Sequence, residues 1–107
     1  MKIRMSPNIA VRHKNYVEAV DFYANVLGFK NRSDDPDLAD FDADPINLFV
    51  IADDEISGPV NELFVSDLEE ARQYLTEHGC KVLRWRGKGQ DCYIQDQFGV
   101  IYNIWEE

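Results

Sequence analysis

Ala19-Val20-Asp21-Phe22-Tyr23-Ala24-Asn25-Val26-Leu27-Gly28-Phe29 is the stretch on which the fold turns, because the chain repeats its outline further on. Glu18-Ala19, Phe22-Tyr23 and Gly28-Phe29-Lys30 are echoed by Glu70-Ala71, Tyr74-Leu75 and Gly79-Cys80-Lys81, with a gap of a single residue. Both copies carry helix signals. In the first, Asn15 stands as N-cap with Glu18 three residues on, Val17, Val20, Ala24 and Leu27 share a stripe, and Gly28 closes the run. In the second, Ser66 precedes Glu69, Leu68, Ala71 and Leu75 recur at helical spacing, and His78-Gly79 ends the segment.

Outward from the helices the pattern changes to strands: Asn8 to Arg12, Phe29 to Arg32, Ala39 to Ala43, Asn47 to Ala52, Val60 to Val65, Lys81 to Trp85, Cys92 to Gln95 and Ile101 to Trp105. Pro36, Pro45, Ser57 to Pro59, the two glycines of Arg86 to Gln90, and Asp96 to Gly99 mark turns between them. The order is β-α-β-β-β twice over, an internal repeat of about 50 residues. One module runs from about residue 6 to 56 and the other from about 59 to 107, joined at Ser57-Gly58-Pro59 within one domain of 107 residues.

A chain of this length buries about two-thirds of the surface it would expose unfolded, enough for a core without disulfides or a structural metal. Eleven Lys and Arg against twenty Asp and Glu leave a net charge of −9, which repels nucleic acid and anionic lipid. The longest uncharged apolar stretch, Ile46 to Ala52, is far too short to span a membrane. No apolar segment follows Lys2 and Arg4, so we expect no secretory signal and a cytoplasmic setting, with Cys80 and Cys92 reduced and structural. Ten acids and no Lys or Arg lie between Asp34 and Glu62. The plain reading is a solvated edge strand, and the sharper one a funnel for a cationic small molecule.

The first-helix run, the paired modules and the closing Gln95-Asp96-Gln97-Phe98-Gly99 resemble the vicinal oxygen chelate superfamily, which includes glyoxalase I, bleomycin-resistance proteins, fosfomycin-modifying enzymes and extradiol dioxygenases. The resemblance covers nearly the whole chain. It departs from the family at the last turn, where Asp96-Gln97-Phe98-Gly99 replaces an Asp-Pro-Asp-Gly pattern. It implies an α+β fold: two tandem βαβββ modules forming a curved eight-stranded cup, with the helices on the convex side. In enzyme members of the family the cup holds a divalent metal through inward His, Gln or Glu. Carried over by offset, those positions fall on Asn8, Asn47, Asn61 and Asn103.

Four neutral carboxamides compete poorly with water for a transition-metal dication, so the expectation is no metal and no cofactor. Each amide has donors and an acceptor for a ligand or for its neighbours. Strand parity places Phe49 with Asn47 and Trp105 with Asn103, and Trp85 and Tyr93 flank the glycine turn as candidates for the mouth. The ligand-binding set is therefore Asn8, Asn47, Phe49, Asn61, Trp85, Tyr93, Asn103 and Trp105.

Other motifs fail on mechanics. Asp40-x-Asp42-x-Asp44 opens like a calcium loop, but Pro45 holds the glycine position and Ile51 the bidentate glutamate position. Gly87-Lys88-Gly89 is too short for a phosphate loop, His78 reads as a helix C-cap, and no nucleophile has a base at a fixed spacing. The sequence thus points to a metal-free small-molecule-binding protein sequestering an aromatic or cationic compound, working as a homodimer. The alternatives are a metal-dependent lyase, thiol transferase or dioxygenase, and a non-catalytic interaction module.

Overall fold

Alternating side-chain polarity over runs of four to eleven residues gives seven strands, and an eighth has only two residues. The structure, a computed structural model, describes residues 1–107. In order they are β1 (Ile3–His13), α1 (Tyr16–Asp21), a π-helical turn (Phe22–Val26), β2 (Lys30–Asn31), β3 (Leu38–Ala43), β4 (Ile46–Ala52), β5 (Gly58–Val65), α2 (Leu68–Glu77), β6 (Lys81–Trp85), β7 (Cys92–Gln95) and β8 (Ile101–Glu106). The fold class is α+β. The chain divides into an N-terminal unit, Pro7–Pro59, and a C-terminal unit, Val60–Glu107 together with Met1–Ser6.

In the N-terminal unit the strand order is β2-β3-β4-β1, with β4 parallel to β1 and antiparallel to β3. Ala39, Phe41 and Ala43 on β3 and Leu48 and Val50 on β4 are buried on one face, where Tyr16, Ala19, Val20, Tyr23 and Ala24 pack against them. The Tyr23 and Phe41 rings meet at 6.0 Å between centroids. In the C-terminal unit the order β5-β8-β7-β6 repeats the plan, with β5 parallel to β8. Leu63, Val65, Cys92, Ile94 and Ile104 cover Leu68 and Ala71 of α2. No helix is long and apolar enough to cross a membrane.

The first helix departs from expectation in two ways. Asn15 makes no side-chain cap, because its own N–H donates to His13 Nδ1 at 2.9 Å and its backbone sits at φ −89°, ψ 58°. The helix then widens: Leu27 N–H reaches back five residues to the Phe22 carbonyl at 3.1 Å. That extra residue in the turn rotates the later side chains off the expected stripe. Leu27, after the widening, is 48% exposed, and Val17, in the first turn before it, is 78% exposed, while Val20 and Ala24 pack inward as read. Gly28 does close the segment in the left-handed region at φ 78°.

The second helix is capped by Asp67 rather than Ser66. Asp67 Oδ1 accepts from Glu70 N–H at 2.8 Å, and Ser66 Oγ accepts from Lys2 N–H at 3.2 Å. A carboxylate from the far end of the sheet completes the cap: Glu106 Oε1 accepts from Leu68 N–H at 2.8 Å while its other oxygen pairs with Lys88. His78 takes the C-cap, with Nδ1 2.7 Å from the Tyr74 carbonyl. The closing turn is held by Asp96, which accepts from Phe98 N–H, Val100 N–H and the Tyr102 hydroxyl. Partial desolvation pushes that carboxyl up, but these donors outweigh it and leave it below the usual carboxylate range.

Cys80 and Cys92 are both free thiols, and burial pushes both up, away from the thiolate. At the sheet edges, β2 is only two residues long and β6 slips register between Val82 and Arg84.

Asp67→Ala will cost about 1 kcal/mol in urea unfolding, the ordinary worth of an N-cap, and a change within error would show that Glu106 caps α2 alone. The bonds from Lys88 and Leu68 lower the Glu106 carboxyl below its ordinary range. Its stabilisation is therefore complete above the unfolded carboxyl range and is lost as pH falls through the lowered folded value. The Tm difference between wild type and Glu106→Gln will accordingly shrink on acidification below about pH 4. A difference independent of pH would remove the charge from this account.

Candidate functional site

Each four-stranded sheet has one face under its helix and one face away from it, and the polar residues singled out in the sequence divide between the two. In the N-terminal unit the register pairs Asn8 with Asn47 and Ala10 with Phe49 across β1 and β4. Ile9, Val11, Leu48 and Val50 pack toward the helix, so Asn8, Asn47 and Phe49 occupy the face away from it. Antiparallel pairing adds Asp42 beside Asn47 and Asp40 beside Phe49.

These groups bond to one another. Arg32 Nη2 donates to Asp40 Oδ1 at 2.8 Å, Asn47 Oδ1 at 3.0 Å and the Phe41 carbonyl at 3.4 Å. Asn47 Nδ2 in turn donates to Asn8 Oδ1 at 2.9 Å. The amide orientation of Asn47 is therefore dictated by its partners, oxygen toward the guanidinium and nitrogen toward Asn8. The hydrogen bond to Asp40 raises the Arg32 pKa further above its already high ordinary value.

In the C-terminal unit, Asn103 stands opposite Glu62 on one side and Tyr93 on the other, and Tyr93 stands opposite Arg84. Trp105 lies beside Phe64. With Leu63, Cys92, Ile94 and Ile104 directed at α2, the row Glu62, Asn103, Tyr93 and Arg84 falls on the face away from the helix. The Arg84 guanidinium carbon is 5.4 Å from the Tyr93 ring centroid, and its Nη1 is 3.2 Å from Asp91 Oδ2. Asn103 Oδ1 accepts from Cys92 N–H at 3.1 Å.

Two expected residues point the other way. Asn61 has the parity of Leu63 and Val65 and lies opposite Tyr102, which packs on the α2 core, so it faces the helix. Glu62 takes the position assigned to Asn61. Trp85 also lies on the helix side: its Nε1–H donates to Glu69 of α2 at 3.2 Å, and the Arg72 guanidinium carbon lies 5.0 Å from its ring centroid. Tyr93 is on the expected face, but at 2% exposure it is an interior residue and not a mouth. Trp105 remains 37% exposed.

Sequence reasoning passed over Arg32 and Arg84, and named Glu62 only as an acid that a metal-dependent alternative could borrow. For Glu62 a signal existed, since Leu63 and Val65 are the apolar positions of that strand and fix its parity. Arg32 gave none, because its role depends on a side-chain contact fifteen residues away.

Two grooves lie beside the helices. One of about 620 Å³ in the C-terminal unit is lined by Asp67, Glu69, Trp85, Arg86, Lys88 and Glu106, among others. Lys88 is paired with Glu106 there, and Glu69 accepts from the Trp85 indole N–H. One of about 280 Å³ in the N-terminal unit is lined by residues including His13, Glu18, Phe22 and Tyr23.

The carboxamides of Asn8, Asn47 and Asn103, with the single carboxylate of Glu62, do not make a set that fits a divalent metal. No three His, Cys, Asp or Glu side chains converge to hold one. On the Asn8–Asn47 face the amide oxygen that would face the ion already faces a guanidinium.

No family model matches the chain, and no curated protein matches its sequence. Solved structures do. A glyoxalase/bleomycin resistance protein/dioxygenase superfamily member from Vibrio splendidus 12B01 superposes with a TM-score of 0.64 at 16% identity, covering 99% of this chain and 100% of that one. A variant of homoprotocatechuate 2,3-dioxygenase from B. fuscum gives 0.66 at 18% identity, over 99% of this chain and 33% of the dioxygenase. A structure described as NAD-dependent benzaldehyde dehydrogenase from Legionella pneumophila gives 0.68 at 16%, over 92% and 96%. The chain thus has the fold of the glyoxalase/bleomycin resistance/dioxygenase superfamily, and at these identities the likeness is one of fold.

Asn8→Ala and Asn47→Ala will each cost about 1 kcal/mol of stability, and the double variant will cost less than their sum because both remove one bond. Strict additivity in urea unfolding would show that the amide pair contributes nothing.

Proposed function

We propose that the chain is a small-molecule-binding protein that works without a metal and sequesters an aromatic or cationic compound. The observation that carries this reading is the set of groups on the faces away from the helices. They include carboxamides (Asn8, Asn47, Asn103) and aromatic rings (Phe49, Trp105), which hydrogen-bond and stack, while the Arg32 guanidinium occupies Asp40 and the Asn47 oxygen and no three acidic, histidine or cysteine side chains converge on a dication. The ten acids between Asp34 and Glu62, within a net charge of −9, favour a cationic over an anionic guest. Trp105 supplies exposed ring area on the C-terminal unit, and a cation held against an indole gains about 0.5–2 kcal/mol. We propose binding without bond making.

A second reading is favoured by the mutual bonding of Arg32, Asp40, Asn47 and Asn8. A face whose polar groups satisfy each other suits an interaction module that takes no ligand.

A thermal-shift screen with planar aromatic cations separates the two. A guest at a hundred times its Kd adds about 2.7 kcal/mol, a Tm rise on the order of 10 °C or more for a domain of this size. That rise will fall in Trp105→Ala and Phe49→Ala. Silence across a broad panel would favour the module. One equivalent of tightly held nickel, zinc, iron or manganese in protein purified without chelator would overturn the metal-free reading.

A further inference from the structure

Oxygen ligands accumulate on one face of the N-terminal unit. Asp40 and Asp42 alternate on β3, Asp42 stands opposite Asn47, and Asn47 stands opposite Asn8. Two carboxylates and two amide carbonyls on three adjacent strands make a donor set of the kind that hard divalent cations take up. Arg32, just past the end of β2, reaches into this set. Its Nη2 bonds Asp40 Oδ1 and Asn47 Oδ1 together, and Asn47 passes the constraint to Asn8. Lys30, opposite Asp42, and Arg12, which shares the parity of Asn8 on β1 and pairs with Asp53, are the other cations that the pairing brings to this face.

We infer that Arg32 is a specificity-determining residue: its fixed positive charge takes the place of a metal ion on this face and closes it to divalent cations. A guanidinium does not lose its proton at any physiological pH, so the closure is permanent. A dication approaching the Asn47 oxygen meets a like charge within hydrogen-bonding distance of that oxygen, where the repulsion outweighs what a neutral amide oxygen offers. The same guanidinium keeps Nε–H and both Nη1–H groups unspent, since its protein bonds all use Nη2, on a side chain 40% exposed. The face therefore offers N–H donors where a metal centre would offer an open coordination position. This inference concerns the electrostatics of the face and holds whether or not the proposed small-molecule guest is correct.

The test titrates Mn²⁺ into the full chain, following loss of the free-ion EPR signal, for wild type, Arg32→Lys, Arg32→Gln, Arg32→Met and the double variant Arg32→Met with Asp40→Asn. Wild type and Arg32→Lys, which keep the charge, will show only weak nonspecific binding. Arg32→Gln, which keeps an amide donor for Asp40 or Asn47, and Arg32→Met will each bind one Mn²⁺ at least tenfold more tightly, and the double variant will lose that gain. Arg32→Gln guards against a folding failure of Arg32→Met, with circular dichroism confirming each fold. A folded Arg32→Gln with wild-type Mn²⁺ affinity overturns the inference, as does stoichiometric Mn²⁺ binding by the wild type. A gain in Arg32→Lys equal to that in Arg32→Gln also overturns it, since the charge would then not be what closes the face.

Discussion

A β-strand shows its side chains to two faces in turn, and in this chain that period of two decides the core and the chemistry together. Every strand with a buried apolar set sends the residues between to the other face: Leu48 and Val50 against Asn47 and Phe49, Leu63 and Val65 against Glu62 and Phe64. The helices depend on it, since α2 has a surface to pack on only where Leu63, Ile94 and Ile104 fall in step. The polar row of Glu62, Asn103, Tyr93 and Arg84 exists for the same reason and at the same register. Moving β4 by one residue would turn Asn47 toward the helix and carry Leu48 and Val50 away from it.

That rule also explains what could be read from the amino-acid order. The doubled βαβββ plan was legible, and Lys81–Trp85 and Cys92–Gln95 lie where the alternation puts them. Asn61 was misread because an offset from a neighbouring helix was allowed to outweigh the parity of Leu63. Trp85 was misread because a glycine turn nearby suggested a rim, while the indole N–H had a carboxylate partner on α2. The π-helical turn was not legible, as nothing in Phe22–Val26 separates it from an ordinary helical turn. Arg32 was not legible either, because its meaning lies in a contact between strand ends that pattern reasoning does not reach.

Fold and chemistry separate here. Structures of similar shape are described as a ring-cleaving dioxygenase and as a benzaldehyde dehydrogenase, so the shared architecture fixes no reaction. In this chain the polar side chains are tied into the protein: a guanidinium joins Asp40 to Asn47, a carboxylate joins β8 to the start of α2, and an aspartate closes the last turn. Each of these groups is committed to a protein partner, which narrows the chemistry left over for a guest.

The outermost strand of each unit also governs how the molecule meets other chains. With only two residues in β2 and a slipped register within β6, neither edge presents the long, flat row of unpaired backbone groups on which a foreign chain could assemble. Short and irregular edges of this kind disfavour the addition of a further strand.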